Sequence, residues 1–331
     1  MSSIEMNNSS LPSFILMGFF ETGATNTWMA FPLFTLYFLS ILGNSLILII
    51  IKTYSHLGDP MYIFLSMLAT ADLGTTLSTL PSMMSVLLFG FRNINFYACL
   101  TQMFIIHSLS STGSAILVAM AFDRYIAICN PLRYASILQP LIAKIGLAAL
   151  TRGLCIHFPI PFLLKRLPYC DNHKLYHAFC FHPDVMKLAC ADTTINSTYG
   201  LVLVLCTFLV DSICILCSYL MILKTVLSIA SKEECLRAFS TCVSHICAVL
   251  VFYIPLIGLT VAHRYAQKAS PLLPVLMGLA YLGIPPAVNP IIYSMKTKQI
   301  RNALHKHLFL EVIRKSNVQH AAVVEHIYAR S

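Results

Sequence analysis

The sequence predicts an all-α membrane protein: a seven-transmembrane helix bundle with its N-terminus outside and a short amphipathic helix after the seventh span. Three observations predict it. Of the 331 residues, 57% are hydrophobic and 11% charged, and the mean hydropathy is +0.76, a balance that belongs to a polytopic membrane protein. Seven apolar runs are each long enough to cross a bilayer as a helix, which takes about 20 residues. Basic residues gather in the joints on one side of those runs, which marks that side as cytoplasmic. The formal net charge of +9 therefore reports topology, and nucleic acid is not an expected partner.

By hydropathy and flanking charge, the expected spans run from Trp28 to Ile51, Met61 to Leu88, Leu100 to Ile128, Ile142 to Leu164, Thr198 to Leu223, Ala238 to Ala262 and Leu272 to Ser294. Residues 1–27 are then an extracellular N-terminus, 28–297 the seven-transmembrane domain, and 298–331 a cytoplasmic amphipathic helix and tail. Met1 to Ser10 is polar and acidic, and Phe14 to Phe20 is too short for a cleavable signal peptide. The first span is thus expected to act as its own insertion signal. Lys52, Arg133, Lys144, Lys224, Lys232, Arg237, Lys296, Lys298, Arg301 and Lys306 fall on the basic side. The sequons at Asn7, Asn8 and Asn196 fall on the other, as N-glycosylation requires.

The longest joint, Lys165 to Ser197, carries Cys170, Cys180 and Cys190, and Cys99 stands at the outer end of the third span. Four cysteines facing an oxidising compartment imply bridges, with three possible pairings. His173, His177 and His182 lie near Cys180. Disulfide use of the cysteines outweighs metal ligation, so neither a metal nor a cofactor is expected. After the seventh span, Ile300, Leu304 and Leu308 recur every four residues with basic residues between them. That pattern reads as a helix on the anionic inner leaflet, with membrane lipid as its partner.

Polar residues inside spans are expensive and are functional candidates. Asp72, Asn44 and Asn289 offer a polar network between helices. Arg152 and Asp211 are also intramembrane, with an interhelical hydrogen bond as their expected use. Asp123 and Arg124 close the third span, and Pro131 then stops the helix. Adjacent helical residues do not face each other, so each charge is free to address a different neighbouring helix; the pair is either a passive boundary marker or a latch that breaks when helices move, and the latch is the expected use. Pro255 and Pro290 kink the sixth and seventh spans and supply hinges.

His107 shares a face with Met103, Ser110, Ser111 and Ser114, and Thr260 and Arg264 stand four apart near the outer end of the sixth span. Together they suggest a cavity with neutral polar walls and one fixed cation. A guanidinium pairs bidentately with a carboxylate, so a small acid or polar oxygenated molecule is implied. A transporter of a small organic anion is the main rival, but no internal repeat supports it. An intramembrane enzyme lacks its motifs, such as His-Glu-x-x-His, and His107, His157 and His245 read as lying at different depths on different spans.

From about Leu11 to Phe309 the chain resembles the rhodopsin-type G-protein-coupled receptors, and within them the odorant receptors. The residues carrying this are Pro60-Met-Tyr-Ile-Phe-Leu65, Met120 to Tyr134, Ser218-Tyr219, Arg237-Ala-Phe-Ser-Thr-Cys-Val-Ser-His245, Pro290-Ile-Ile-Tyr293 and the three-cysteine loop. Phe104-Ile-Ile-His107, Asp184-Val-Met-Lys-Leu188, Phe252 to Leu259 and His263-Arg264-Tyr265 are similar to the class I, or fish-like, branch, some of whose members respond to short carboxylic acids.

The resemblance implies disulfides Cys99–Cys180 and Cys170–Cys190, with His182 hanging over a ligand pocket formed by His107, Ser110, Ser111, Ser114, Thr260 and Arg264. It implies that Asp123, Arg124, Tyr125, Tyr219, Ser240, His245, Tyr253 and Tyr293 serve activation. The implied partners are a small-molecule odorant and a heterotrimeric, stimulatory olfactory-type G protein that raises cyclic AMP, at the plasma membrane. Two departures stand out. Tyr253 occupies the sixth-helix switch where many rhodopsin-like receptors carry tryptophan, and Ile106 stands where amine receptors carry aspartate. A cationic amine ligand is disfavoured.

Overall fold

A backbone surrounded by hydrocarbon must satisfy its own hydrogen bonds, and a helix does so within one segment. The computed structural model describes residues 13–18, 23–54, 58–170, 173–228, 232–266, 272–296 and 299–307. Among these, seven helices are long and apolar enough to cross a membrane. They are Gly23–Thr53, Pro60–Leu87, Phe96–Cys129, Ile142–Lys165, Thr194–Leu227, Lys232–Val261 with a wide turn Ala262–Ala266 at its end, and Leu272–Lys296. The fourth pauses at Phe158, ahead of Pro159.

Several helices outrun the spans expected from hydropathy. The third begins at Phe96, where the Asn95 side chain caps it by accepting from the Tyr97 N–H at 2.9 Å. The sixth begins at Lys232 instead of Ala238. The extra turn of the sixth helix, Lys232 to Arg237, is polar, so hydropathy does not register it, although its backbone continues the ladder.

The third helix occupies the centre and packs against the second, fourth, fifth and sixth. Small residues permit the closest approaches. A Cβ on Gly153 of the fourth helix would fall 2.5 Å from both the Ser108 carbonyl oxygen and the Thr112 Oγ1 of the third. Large apolar side chains such as Phe31, Leu147, Leu216 and Ile254 are exposed on the outside, where lipid would cover them. Pro290 cannot donate to the carbonyl of Pro286, and the Asn44 Nδ2 fills that place at 2.8 Å, joining the first helix to the seventh.

One end of the bundle, here the loop end, is covered by structure that the all-α expectation lacked. The strand Ser13–Leu16 pairs antiparallel with Asn93–Asn95 and parallel with Lys174–Leu175. These segments are too short for alternation to reveal. Phe14 sits beneath them, fully buried, with its ring 5.7 Å from Phe96 and 5.5 Å from Tyr169. Cys99 is bonded to Cys180 and Cys170 to Cys190, with Cα atoms 5.4 and 5.9 Å apart. At the opposite end, residues 299–307 are helical, but Ile300 and Ala303 are buried in the main core, so part of the apolar stripe faces protein instead of lipid. Asn7, Asn8 and Leu308 lie outside the described residues.

The Gly153 contact yields a stability test. Gly153→Val should destabilise the bundle by about 1–3 kcal/mol through overpacking, read as a lower thermal midpoint of the purified protein, and Gly153→Ala by less.

Candidate ligand cavity and latch

At the loop end, the third, fourth, fifth, sixth and seventh helices and the short loop helix His182–Lys187 enclose a cavity of about 240 Å³. His107 lines it from the third helix, and its ring stacks on His157 of the fourth, with centroids 5.8 Å apart and planes 10° from parallel. This corrects the expectation of different depths. The two helices run in opposite directions, so a residue early in one meets a residue late in the other. His157 Nδ1 hydrogen-bonds the Gly153 carbonyl at 2.8 Å, which fixes its ring. His182 lies over Gly200, where a Cβ would come within 3.1 Å of its ring. Burial first, and the neighbouring His157 second, lower its pKa to about 4, so the imidazole is neutral at pH 7.

Thr260, His263 and Arg264 line the same cavity from the sixth helix and its end turn, and Lys187 lines it from the loop helix; sequence reading had not selected His263 or Lys187. Ile160, Leu203, Val204, Phe208 and Leu256 form an apolar wall. Three ring nitrogens among the lining residues, His107 Nε2, His182 Nε2 and His263 Nε2, are buried without a hydrogen-bond partner, and the last is aimed at Asp184.

Ser110, Ser111 and Ser114 do not line the cavity, which corrects their assignment to its wall. They share a face with His107, but at about 1.5 Å per residue they sit one to two turns deeper, where neighbouring helices close over them. The Ser110 hydroxyl hydrogen-bonds Tyr281. Ser111 is fully buried, and its carbonyl accepts from Arg152 at 3.2 Å. Ser114 donates to Asp211 Oδ2 at 2.6 Å and accepts from the Tyr253 hydroxyl at 2.7 Å.

Asp211 is in turn held by both arms of Arg152, at 2.7 and 2.6 Å. A polar chain thus joins the fourth, fifth, third and sixth helices beneath the cavity. Arg152 and Asp211 were legible as misplaced charges, but not as each other's partner.

The opposite end holds the second cluster. Asp123 is fully buried and takes the Arg124 guanidinium, whose Nε donates at 2.9 Å, together with the Tyr134 hydroxyl at 2.7 Å. The two charges pair with each other, as the latch reading expects, because the long Arg124 side chain curls back along its own helix. Tyr134 is the partner the sequence reading missed.

Tyr125 packs against Ile222, Val226 and Cys242. Tyr219 hydrogen-bonds His245 Nδ1 at 2.7 Å with the rings stacked, and Tyr293 is buried, its hydroxyl 3.9 Å from the Met120 sulfur. The Ser240 side chain lies outside the described residues. Between the ends, Asn289 donates to Asp72 at 2.9 Å, while Asn44 bonds Ser40 and Pro286 and makes no bond to Asp72. Asn196 is fully buried in the fifth helix, and its Oδ1 accepts from Arg166 at 3.3 Å. A glycan cannot be attached there without opening that packing, which corrects its reading as an acceptor.

The sequence model described as olfactory receptor matches residues 33–311. The chain belongs to the olfactory receptor family. The receptor is 50% identical over 304 residues to olfactory receptor 51G2 of Homo sapiens, covering 91% of this chain and 97% of that one. It is 52% identical over 289 residues to human olfactory receptor 51D1, covering 87% and 89%. Over 290 residues it is 49% identical to olfactory receptor 51E2 of Mus musculus, covering 87% and 91%. It is accordingly a multi-pass plasma-membrane receptor for odorants that acts through a G protein, and not an enzyme. The transporter reading is not favoured.

Two measurements test the geometry of the receptor. Arg152→Ala leaves Asp211 buried without its partner and should cost about 3 kcal/mol, the low end for a broken buried pair because the Arg152 side chain is 32% exposed. The double change Arg152→Met with Asp211→Leu should recover most of the lost thermal midpoint and surface expression. His182, held at about 4 in the fold against 6.5 when free, takes up fewer protons than in the unfolded chain between those values. Its contribution to stability is therefore complete above pH 6.5 and is lost as the pH falls towards 4. A melting series across that window should show the loss, and His182→Gln should flatten it.

Proposed function

We propose that the receptor binds a small polar or carboxylic-acid odorant in this cavity and activates a stimulatory, olfactory-type G protein that raises cyclic AMP. The observation that carries the ligand reading is one cavity that holds the Arg264 guanidinium and, among its unpartnered buried imidazole nitrogens, those of His107 and His182. A guanidinium offers a planar fork to a carboxylate, and each imidazole offers one further hydrogen bond to an oxygen. Ile160, Leu203, Val204, Phe208 and Leu256 take the hydrocarbon part. Thr260 already donates to the Leu256 carbonyl at 2.9 Å, which leaves its oxygen as an acceptor for a ligand hydroxyl or acid proton.

The basic joints support a loop end that faces outside and an Arg124 end that faces the cytoplasm. Asn7 and Asn8 are then the glycan acceptors on the outer face. The sixth helix links the two ends: it carries Tyr253, Thr260 and Arg264, and Pro255 interrupts its ladder. A ligand that binds one arrangement of this helix more tightly shifts the population towards it. In that arrangement Arg124 leaves Asp123 and joins Tyr219 and Tyr293 in lining a crevice for the G protein, with Tyr125, Ser240 and His245 at its rim. The buried site around Asp72 and Asn289 is the internal polar joint about which these helices reorganise.

In a cyclic-AMP reporter assay, Arg264→Ala should weaken responses to carboxylic acids about 10- to 100-fold at unchanged surface expression, the loss expected for hydrogen bonds to a charged group. Arg264→Lys, which keeps the charge without the fork, should fall between. Undiminished acid responses in Arg264→Ala refute the anchor.

A further inference from the structure

We propose that His177, Asp184 and His263 form a binding site for a divalent transition ion of the zinc type, which staples the long loop to the end of the sixth helix. His177 and Asp184 come from the loop, and His263 from the wide turn that ends the sixth helix. One ligand atom from each lies within 4.8 Å of the others. Asp184 Oδ2 hydrogen-bonds His177 Nδ1, Asp184 Oδ1 stands 3.6 Å from His263 Nε2, and the two imidazoles stack at 5.6 Å. Zinc bonds of about 2.0–2.1 Å in a tetrahedron place ligand atoms about 3.3 Å apart, so binding an ion opens the His177–Asp184 hydrogen bond and draws the wider-spaced ligand atoms together.

The hydrogen bonding of the two rings points to an ion. His177 Nε2 faces the Pro274 carbonyl at 3.2 Å and must donate to it. That leaves the Nδ1 lone pair turned towards a carboxylate oxygen, an arrangement that needs a proton or a cation between them. A ring N–H held by a backbone carbonyl is also how metal-ligating histidines are oriented. His263 brings a third donor: its side chain is 6% exposed, and its Nε2, aimed at Asp184, has no hydrogen-bond partner. An ion uses all three groups, with His263 ligating through Nε2 once the Lys187 ammonium no longer donates to its Nδ1.

The ligand set selects the ion. Two imidazoles and one carboxylate suit zinc or copper(II), whereas calcium and magnesium prefer oxygen ligands throughout. The scaffold is rigid, since a Cβ on Gly278 of the seventh helix would lie 2.8 Å from the His177 ring, and Asp184 sits four residues beyond the disulfide-bonded Cys180. Lys187 opposes the ion, since its ammonium lies 3.4 Å from His263 Nδ1 and has to leave that contact when an ion binds. Occupancy ties the loop to the helix that carries Thr260 and Arg264. The site does not depend on the identity of the odorant.

The test is zinc binding to the purified full-length receptor in detergent, followed by competition with a chromophoric chelator. The difference between variants reads the site, since other histidines and cysteines also take up zinc. Wild type should bind more tightly than His263→Ala by about tenfold or more, in line with the loss of a group on which a metal site depends. His263→Cys restores a ligand atom and should retain binding close to wild type. Lys187→Ala, which removes a cation beside the site, should bind at least as tightly as wild type. Equal binding by wild type and His263→Ala, absence of saturable binding in wild type, loss in His263→Cys as in His263→Ala, or weaker binding in Lys187→Ala each overturns the proposal.

Discussion

A polar group inside a bundle that faces hydrocarbon has no water to turn to, and this constraint runs through the interior of the receptor. Asp211 is held by Arg152 and Ser114, and Asp123 by Arg124 and Tyr134. The carbonyl that Pro290 leaves without a donor takes one from Asn44. Each arrangement joins separate helices or ties a helix to its loop, so the groups that are costly to bury also set which helices meet and at what depth. Some of the buried atoms that protein leaves unsatisfied, among them His107 Nε2 and His182 Nε2, line the cavity.

The two ends of the third helix are fixed by different means. At the loop end a disulfide holds Cys99 to Cys180, and the strand Ser13–Leu16 braces the loop over the bundle. At the other end Asp123 is held by side chains alone. A covalent tether keeps the cavity roof in place, whereas a hydrogen-bonded charge pair can exchange partners at modest cost. The Ser114–Tyr253 bond joins the third helix to the sixth between these ends, directly below the cavity, and through Asp211 it reaches the Arg152 pair. Tyr253 replaces a tryptophan with a side chain whose hydroxyl can take part in that chain.

How far the sequence could be read depended on the kind of signal each residue carries. The seven spans were legible because length and apolarity are local properties, and their ends drifted where a cap such as Asn95 or a polar turn such as Lys232–Glu233 extended a helix. His107, Thr260 and Arg264 were legible as one site because each is polar where the pattern calls for an apolar residue. Ser110, Ser111 and Ser114 misled because sharing a helix face fixes an angle and not a depth. Lys187, His157 and Tyr281 went unselected, since loop trajectory and antiparallel packing alone bring them to the cavity. Asn196 matched a sequon whose three residues say nothing about burial.

By itself, then, the sequence determined that this chain crosses a membrane seven times, which side of it is basic, and which costly side chains the bundle must accommodate. Those follow from the energetics of single segments in hydrocarbon and from charge along the chain. Only the tertiary structure decided the partners: that Arg152 meets Asp211, that Tyr134 joins Arg124 on Asp123, and that His263 comes to rest beside Asp184. Pairing depends on the rotation, depth and approach of helices distant in sequence, and packing the whole bundle sets these together.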